Sequence, residues 1–305
     1  LVDDFCCQQT LKCLLASDAR SRASSASSCS VHLARPDEAD ECALVLAEAF
    51  GEDPFWEWQF GRRESKTCGL WLCRYTVRFA LQNGVVLVSR LPGAERIAGV
   101  ICLVAPGRQE TAAAAAAVMA QEGVGAPPPC EHGDARTVAA SAALRAAHSE
   151  VCPAPHWHLW MIGTSLAARG KGAAGVLLRL AARLADRDAC DMYLETDTLK
   201  NVQLYQQYGF AVRKEFTADC EGQPSSGTLF GMSRPPAVET CPLIPLTHLQ
   251  LCFAAELGIV VMVGPPQGDV CLCDGTTVPE SSRVSAQLES VPIEKLSTLS
   301  SFDDV

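Results

Sequence analysis

Between residues 31 and 236, segments with helical spacing of apolar residues alternate with segments that have the pattern of strands. After Pro36, apolar residues recur every three or four positions as far as Phe50, which predicts an amphipathic helix. Further helices are predicted at about 68–81, 107–122, 134–149, 170–187 and 199–208.

Short apolar segments rich in β-branched and aromatic residues lie between these helices. Asn83-Gly84 and Pro92-Gly93 are turn sequences, so the strands on either side of Pro92 are expected to form a hairpin. Strands are predicted at 31–34, 85–89, 96–104, 156–164, 190–196, 210–217 and 228–233. The pattern is that of an α/β (α+β) protein.

The composition changes near both ends of this patterned region. Residues 1–30 include a Ser-, Ala- and Arg-rich stretch and are predicted to be a flexible leader, with an organellar transit segment as the alternative. Residues 237–305 are rich in Pro, Ser and Thr and are expected to be a weakly ordered C-terminal extension. The domain therefore spans 31–236 and includes an Ala-rich helical insert at about 107–150.

Charge and hydropathy exclude several partners. The net charge of −10 and the pI of about 5.1 argue against a nucleic-acid-binding protein, although an anion site needs only local donors. The longest apolar stretch, 249–264, contains Gln250 and Glu256, so no membrane association is expected.

The 16 cysteines have no paired metal-ligand spacing. We therefore expect mostly free thiols, many of them buried, in an intracellular, cytoplasmic protein, with an organelle as the alternative location.

One glycine-rich segment has the pattern of a phosphate-binding loop. The predicted strand 156–164 is followed by Arg169-Gly-Lys-Gly-Ala-Ala-Gly175 and then by a helix with one apolar stripe. The first N–H groups of a helix have no internal partner and carry positive potential, so small residues here let a diphosphate approach them.

The same residues also fit a dinucleotide-binding pattern. Gly170-x-Gly172-x-x-Gly175 is a literal GxGxxG, and Glu195 follows twenty residues later. The alternative is therefore an NAD(P)-binding Rossmann-type oxidoreductase. It is disfavoured because five residues separate the strand from the motif and because few helices and strands follow.

Two segments resemble the GNAT superfamily of N-acetyltransferases. Arg169-x-x-Gly172-x-Ala174 matches its cofactor signature, and the segment from Asn201 through Tyr205 to Gly209-Phe210 resembles its following motif. Three shorter segments are similar to the puromycin N-acetyltransferase-like branch: Pro155-His-Trp157, Tyr193-Leu-Glu195-Thr196 and Met232-Ser-Arg234.

The resemblance implies a fold and a co-substrate. The fold is a central, mostly antiparallel mixed sheet of six to seven strands flanked by helices, with its parallel pair, 156–164 and 190–196, splayed apart. Acetyl-coenzyme A would lie in that gap, with its pantetheine arm along 161–163 and its diphosphate on the glycine-rich loop. The implied cofactor-binding residues are Met161, Ile162, Gly163, Arg169, Gly170, Lys171, Gly172, Ala173, Ala174 and Asn201.

The resemblance also implies the catalytic residues. Tyr205 would be the general acid that protonates the departing thiolate, with Tyr208 as the competing candidate. Glu195 would be the base for the acceptor ammonium, or would bind the ammonium without proton transfer. Asn201 begins the next predicted helix, where capping is an alternative to cofactor contact.

The acceptor is expected to be a primary amine, either of a small molecule or of a peptide. Phe55 and Trp56, together with Trp58, lie in a predicted loop that would overhang the acceptor, and the alternative is that they anchor this loop to the core. A rival interpretation is a GNAT-like module that binds an acyl-coenzyme A without transferring the acyl group.

We expect no metal ion. His148, His156 and His158 are close in sequence but do not share a metal-ligand spacing on one face, which favours core or surface positions. Cys271 and Cys273 form at most half of a site.

Overall fold

The computed structural model describes residues 29–62, 65–108, 110–121, 123–129 and 133–237, together with the backbone of 250–254 and 259–263. The chain separates into two compact units, Leu1–Glu239 and Thr240–Val305. The leader predicted at 1–30 lies outside the described residues except for its last two positions.

The described strands of the first unit form one seven-stranded mixed sheet in the order β1-β2-β3-β4-β5-β7-β6. The strands are β1 (Ser30–Leu33), β2 (Gly84–Arg90), β3 (Gly99–Val104), β4 (Trp157–Thr164), β5 (Met192–Thr196), β6 (Ala211–Phe216) and β7 (Leu229–Arg234). Within this sheet β4 and β5 are the parallel pair, and the other pairings are antiparallel. The mixed sheet implied by the resemblance is confirmed. The Rossmann-type alternative is wrong, because that fold needs a mostly parallel sheet.

Helices connect and cover these strands. They are α1 (Ala39–Ala49), α2 (Pro54–Phe60), α3 (Ser65–Asn83), α4 (Ala112–Met119), α5 (Gly133–Val151), α6 (Ala173–Arg187) and α7 (Leu199–Gln206), with 3-10 turns at Pro36–Glu38 and Leu166–Ala168. Each predicted helix is present with shifted ends.

Helix α2 replaces the loop predicted for the aromatic cluster. Asp53 caps it, because its side chain accepts a hydrogen bond of 2.9 Å from the backbone N–H of Trp56, and Pro54 occupies the first helical position. Both residue types favour a helix start at these positions.

The sheet lies between two helical layers. On one face, α6 packs against β2, β3 and β4. Its buried stripe contains Val176, Leu177, Leu180 and Leu184, while Arg179 points to solvent. On the other face, α1 and α3 cover β2, β3 and β4, so the sheet has an apolar core on each side.

The Ala-rich insert forms two separate helices. Helix α4 packs on α3 through the buried Val118, and α5 packs on α2, β6 and β7. Since α5 lies across the far half of the sheet, the insert contributes to the space beside β4 and β5.

The second unit contains a hairpin of β8 (Gln250–Ala254) and β9 (Ile259–Val263), which pair antiparallel. These strands were not predicted. The expectation of weak order for the rest of 240–305 falls on residues outside the described part. No helix that the structure describes is both long enough and apolar enough to span a lipid bilayer.

Candidate active site

The strands β4 and β5 pair only where they begin. Their parallel ladder has two residue pairs, the second being His158 with Tyr193, whereas β5 pairs with β7 along its whole length. Beyond His158, the edge of β4 toward β5 has no described strand partner. Met161, Ile162 and Gly163 of this segment line a cavity of about 1100 Å³. Backbone groups that an adjacent strand would otherwise bind are therefore available to a ligand.

An irregularity in β4 changes which side chains face this cavity. In its pairing with β3, Met161 lies opposite Cys102 and Leu159 lies opposite Leu103, so Trp160 is an extra residue in β4. Such a bulge bends a strand and increases its local twist. Trp160 lines the cavity as a result.

The glycine-rich loop connects β4 to α6. Gly170 and Gly172 have φ angles of 75° and 82°, and Gly172 is the N-cap of α6. A Cβ atom on either glycine would meet no heavy atom within 4 Å, so the space in front of the loop is open. No side chain caps this helix end, which leaves the first amides of α6 available for an anion.

The cofactor-binding residues expected around this loop occupy different positions. Arg169 and Ala174 line the cavity, and Arg169 Nη2 donates to the carbonyl of Ala49 at 3.3 Å. Lys171 is exposed beside the loop, whereas the Ala173 side chain is buried in the core. Ala173 can therefore contribute its backbone N–H but not its side chain.

Tyr205 lies on α7 with its ring edge-on to Phe210, the two centroids being 6.0 Å apart. The residue is 7% exposed and lines the cavity. Burial raises the pKa of Tyr205 above its usual value, and the nearby charge of Asp197 adds to this rise. The phenol therefore stays protonated at neutral pH, as a proton donor must.

Tyr208 and Asn201 lie close to Tyr205 in the sequence but differ in their position relative to the cavity. A Cβ on Gly175 of α6 would lie 2.8 Å from the Tyr208 hydroxyl, and Tyr208 is absent from the cavity lining. Asn201 lines the cavity but does not cap α7, since Thr198 is the N-cap and accepts from the Asn201 N–H at 3.3 Å. The capping alternative for Asn201 is thus wrong.

Glu195 belongs to a cluster that the sequence did not reveal. Its Oε2 lies 3.0 Å from His158 Nε2 across the gap between the strands. His148 of α5 completes the cluster, and its ring stacks on Tyr193 at 4.5 Å. The Nε2 atoms of His148 and His156 are 2.6 Å apart. Burial lowers the pKa of His148 to about 4, and His158 contributes to this shift.

The sequence of the chain matches the model of a known protein family. The model of the "Acetyltransferase (GNAT) family" matches residues 46–210, more than half of the chain. This chain belongs to the GNAT acetyltransferase family. The matched segment contains the separated strands, the glycine-rich loop, Glu195 and Tyr205.

The chain is similar to several solved structures at low sequence identity. The C-terminal condensation domain of Ebony, solved in complex with beta-alanyl-dopamine, is 11% identical with a TM-score of 0.53, covering 68% of this chain and 99% of that one. A histone acetyltransferase HPA2-related acetyltransferase from Corynebacterium glutamicum is 24% identical with a TM-score of 0.49, covering 70% and 99%. The mosquito arylalkylamine N-acetyltransferase like 5b is 14% identical with a TM-score of 0.46, covering 68% and 100%. No curated protein matches the chain in sequence.

The aromatic residues of this GNAT domain that were expected to contact the acceptor amine differ in their surroundings. Trp56 is 5% exposed and stacks on Phe50 at 4.8 Å, and a Cβ on Gly69 would lie 2.5 Å from its ring. Phe55 is less buried and lines the cavity, whereas Trp58 lies outside the lining and donates to the carbonyl of Pro224. Trp56 therefore anchors α2 to the core and also lines the cavity, and Phe55 is the more exposed of these two lining residues.

A second aromatic surface was missed by the sequence reasoning. Trp71, Tyr75 and Phe79 follow one another along α3, with neighbouring centroids 5.5 and 6.0 Å apart, and Phe79 meets Trp160 at 5.1 Å. All four line the cavity. Their spacing of four residues in α3 is visible in the sequence and could have indicated a shared helix face.

Two further carboxyl groups belong to the lining of the cavity. Asp53 and Asp197 both line it. Burial raises the pKa of Asp53 to about 7, and the charge of Asp197 contributes to the rise. Burial also raises the pKa of Asp197. A cation placed between these groups would stabilise their ionised forms.

Proposed function

We propose that this chain transfers the acetyl group of acetyl-coenzyme A to a primary amine. The observation that carries the proposal is the cavity between the separated strands β4 and β5. Residues 161–163, Arg169, Glu195 and Tyr205 all line this one space, so a thioester and an amine bound there would meet both a proton acceptor and a proton donor.

The co-substrate would bind along β4 and the start of α6. The pantetheine amides would pair with the unpaired edge at 161–163, as an added strand would. The diphosphate would accept hydrogen bonds from the backbone N–H groups of Gly170, Gly172 and Ala174, where the helix dipole favours negative charge. Arg169 and the exposed Lys171 supply positive charge at the same end.

Glu195 would act on the acceptor. An amine attacks a carbonyl only in its neutral form, so the ammonium must first lose a proton. The Glu195 carboxylate lies at the point where the strands separate, and can take this proton and pass it to solvent. The alternative role is to bind the ammonium and leave its deprotonation to water.

The chemical step then follows by direct transfer. The amine nitrogen attacks the thioester carbon, and backbone N–H groups of β4 stabilise the oxyanion that forms. The carbon–sulfur bond breaks as the amide forms, and Tyr205 donates its hydroxyl proton to the departing thiolate. Solvent then restores the proton to Tyr205.

The lining indicates what the acceptor looks like. The aromatic residues of the lining include Phe55, Trp71, Tyr75 and Trp160. Aromatic faces attract cations and bury apolar surface. We therefore infer an amine attached to an apolar or aromatic body, in a small molecule or at a peptide terminus.

A thiol-release assay tests the proposal. The full chain is incubated with acetyl-coenzyme A and a panel of arylalkylamines, aliphatic polyamines, aminoglycosides and short peptides, and acetylated products are identified by mass spectrometry. We expect amine-dependent release of thiol above the hydrolysis seen without amine. Tight binding of acetyl-coenzyme A in calorimetry, with no amine-dependent release across the panel, would instead support a non-catalytic acyl-coenzyme A-binding module.

A further inference from the structure

Three side chains from separate elements meet at the end of the cavity where β4 and β5 part. His148 comes from α5, His158 from β4 and Glu195 from β5, and one potential ligand atom of each lies within 4.8 Å of the others. We propose that these three residues form a binding site for a single divalent transition-metal ion of the zinc class. Two imidazoles and one carboxylate are a ligand set that zinc accepts, with a fourth position left open toward the cavity.

The hydrogen bonds around His148 select the tautomer that a metal ligand needs. His156 Nδ1 lies 2.7 Å from the carbonyl oxygen of Ala154, which can only accept, so His156 carries its proton on Nδ1. With both rings neutral, His156 Nε2 accepts from His148 Nε2 at 2.6 Å. The lone pair of His148 is therefore on Nδ1. An imidazole that donates its other N–H to a fixed acceptor is the usual arrangement behind a metal ligand.

Packing holds the ligand rings in place. His148 stacks on Tyr193 with an interplanar angle of 6°, and His158 stacks on Trp160 with an angle of 21°. The side chains of His158 and Glu195 are 16% and 14% exposed, so an ion can reach them from the cavity while most of the site is shielded. Rings fixed in this way lose little conformational entropy when they bind an ion.

Binding requires a small closure of the cluster. The ligand atoms span up to 4.8 Å, whereas ligands around a tetrahedral zinc ion are about 3.3 Å apart. The longest separation must therefore shorten by about 1.5 Å. The ion would also replace the proton in the hydrogen bond between His158 Nε2 and Glu195 Oε2.

The site has a consequence for catalysis that rests on the proposed function. Glu195 cannot hold a metal ion and take a proton from the acceptor at the same time. The ion and the acceptor amine would then compete, and the metal would inhibit acetyl transfer. Metal binding itself does not depend on any acyl-transfer activity.

Cobalt and zinc binding test the site directly, without acetyl-coenzyme A or amine. The full chain is treated with a chelator, dialysed and titrated with Co²⁺, whose visible absorption reports ligand type and geometry, and the bound Co²⁺ is then displaced by Zn²⁺. The chain has 16 cysteines, which also bind zinc. Thiolate-to-cobalt charge-transfer bands would identify that competing mode.

We expect one bound ion per chain with a spectrum typical of nitrogen and oxygen ligands. His148→Ala and Glu195→Gln should each weaken binding by more than about 100-fold. His156→Leu should weaken it by about 10–100-fold, since it removes the acceptor that orients the His148 ring. The control is His32→Gln, because His32 contacts Arg90 and lies outside the cavity lining. Circular dichroism without metal checks that each variant folds. Equal affinity in wild type, His148→Ala and Glu195→Gln, or a spectrum dominated by thiolate ligands, would overturn the proposal.

Discussion

The carboxylate of Glu195 and the imidazole of His158 are 3.0 Å apart, and His158 belongs to the last residue pair of the β4–β5 ladder, opposite Tyr193. The contact spans the gap at the point where it opens. Both residues line the cavity, so a ligand that enters between the strands can reach this pair.

Replacing Tyr205 by Phe removes the proposed proton donor and preserves the ring that packs on Phe210. We expect the turnover number to fall by about 10²–10⁴-fold, the usual contribution of a general acid, with little change in affinity for acetyl-coenzyme A. Steady-state thiol release and isothermal titration measure the two quantities.

Tyr208→Phe is the matched control for Tyr205→Phe, because the Tyr208 hydroxyl lies against Gly175 and outside the cavity lining. It should leave turnover nearly unchanged. Full activity in Tyr205→Phe would remove this tyrosine from the mechanism.

Replacing Glu195 by Gln separates its two possible roles. If the carboxylate is the base, the turnover number should fall by about 10²–10⁴-fold. If it only binds the ammonium, KM for the amine should rise with turnover unchanged. Kinetics in the presence of a chelator measure both parameters without interference from metal ions.

The control for Glu195→Gln is Glu215→Gln, since Glu215 is exposed on β6 and lies outside the cavity lining. It should behave as the wild type does. A Glu195→Gln variant with both wild-type turnover and wild-type KM would be incompatible with either role.

Gly172→Ala tests the proposed diphosphate site. Gly172 has φ of 82°, and a Cβ there costs about 1–2 kcal/mol of stability in the left-handed region. The strained loop would also shift the amides at the start of α6, so we expect the dissociation constant for coenzyme A to rise by at least about tenfold, a loss of about 1.4 kcal/mol. Calorimetry and thermal unfolding check the two effects.

Gly93→Ala provides the matched backbone control. Gly93 has φ of 72° in the turn between β2 and β3, and a Cβ there would also meet no atom within 4 Å. Stability should fall by a similar amount, while coenzyme A affinity should not change. Equal affinities in the two variants would place the diphosphate elsewhere.

Asp53→Asn should change how stability depends on pH. The pKa of Asp53 is raised to about 7 in the folded state, above its value of about 4 in an unfolded chain. The folded state therefore binds the proton more tightly, and the free energy of unfolding falls as pH rises from about 4 to 7. Asparagine also caps helices, so the variant keeps the start of α2.

We expect Asp53→Asn to be more stable than wild type at pH 8, by on the order of 2 kcal/mol, with the difference shrinking toward pH 4. Denaturant unfolding at several pH values measures this. In the variant, the free energy of unfolding still falls as pH rises, but less steeply, because the pKa of Asp197 is also raised. Asp219→Asn, at an exposed position, is the control, and parallel pH curves for Asp53→Asn and wild type would refute the prediction.

The sequence alone determined most of the secondary structure and the position of the glycine-rich loop. Helix α6 was predictable because Val176, Leu177, Leu180 and Leu184 repeat with helical spacing after a glycine-rich start, a local property of the chain. Helix α2 was missed, because seven residues are too few for a periodicity to show and because Gly51 and Pro54 indicated a turn.

Only the tertiary structure brought His148, His158 and Glu195 together and selected Tyr205 over Tyr208. The register of β4 against β5 and the packing of α5 decide which side chains meet, and both depend on contacts between residues far apart in the chain. Residue spacing encodes which face of its own helix or strand a side chain occupies. It does not encode which other element that face will meet, because that choice is made by the packing of the whole core.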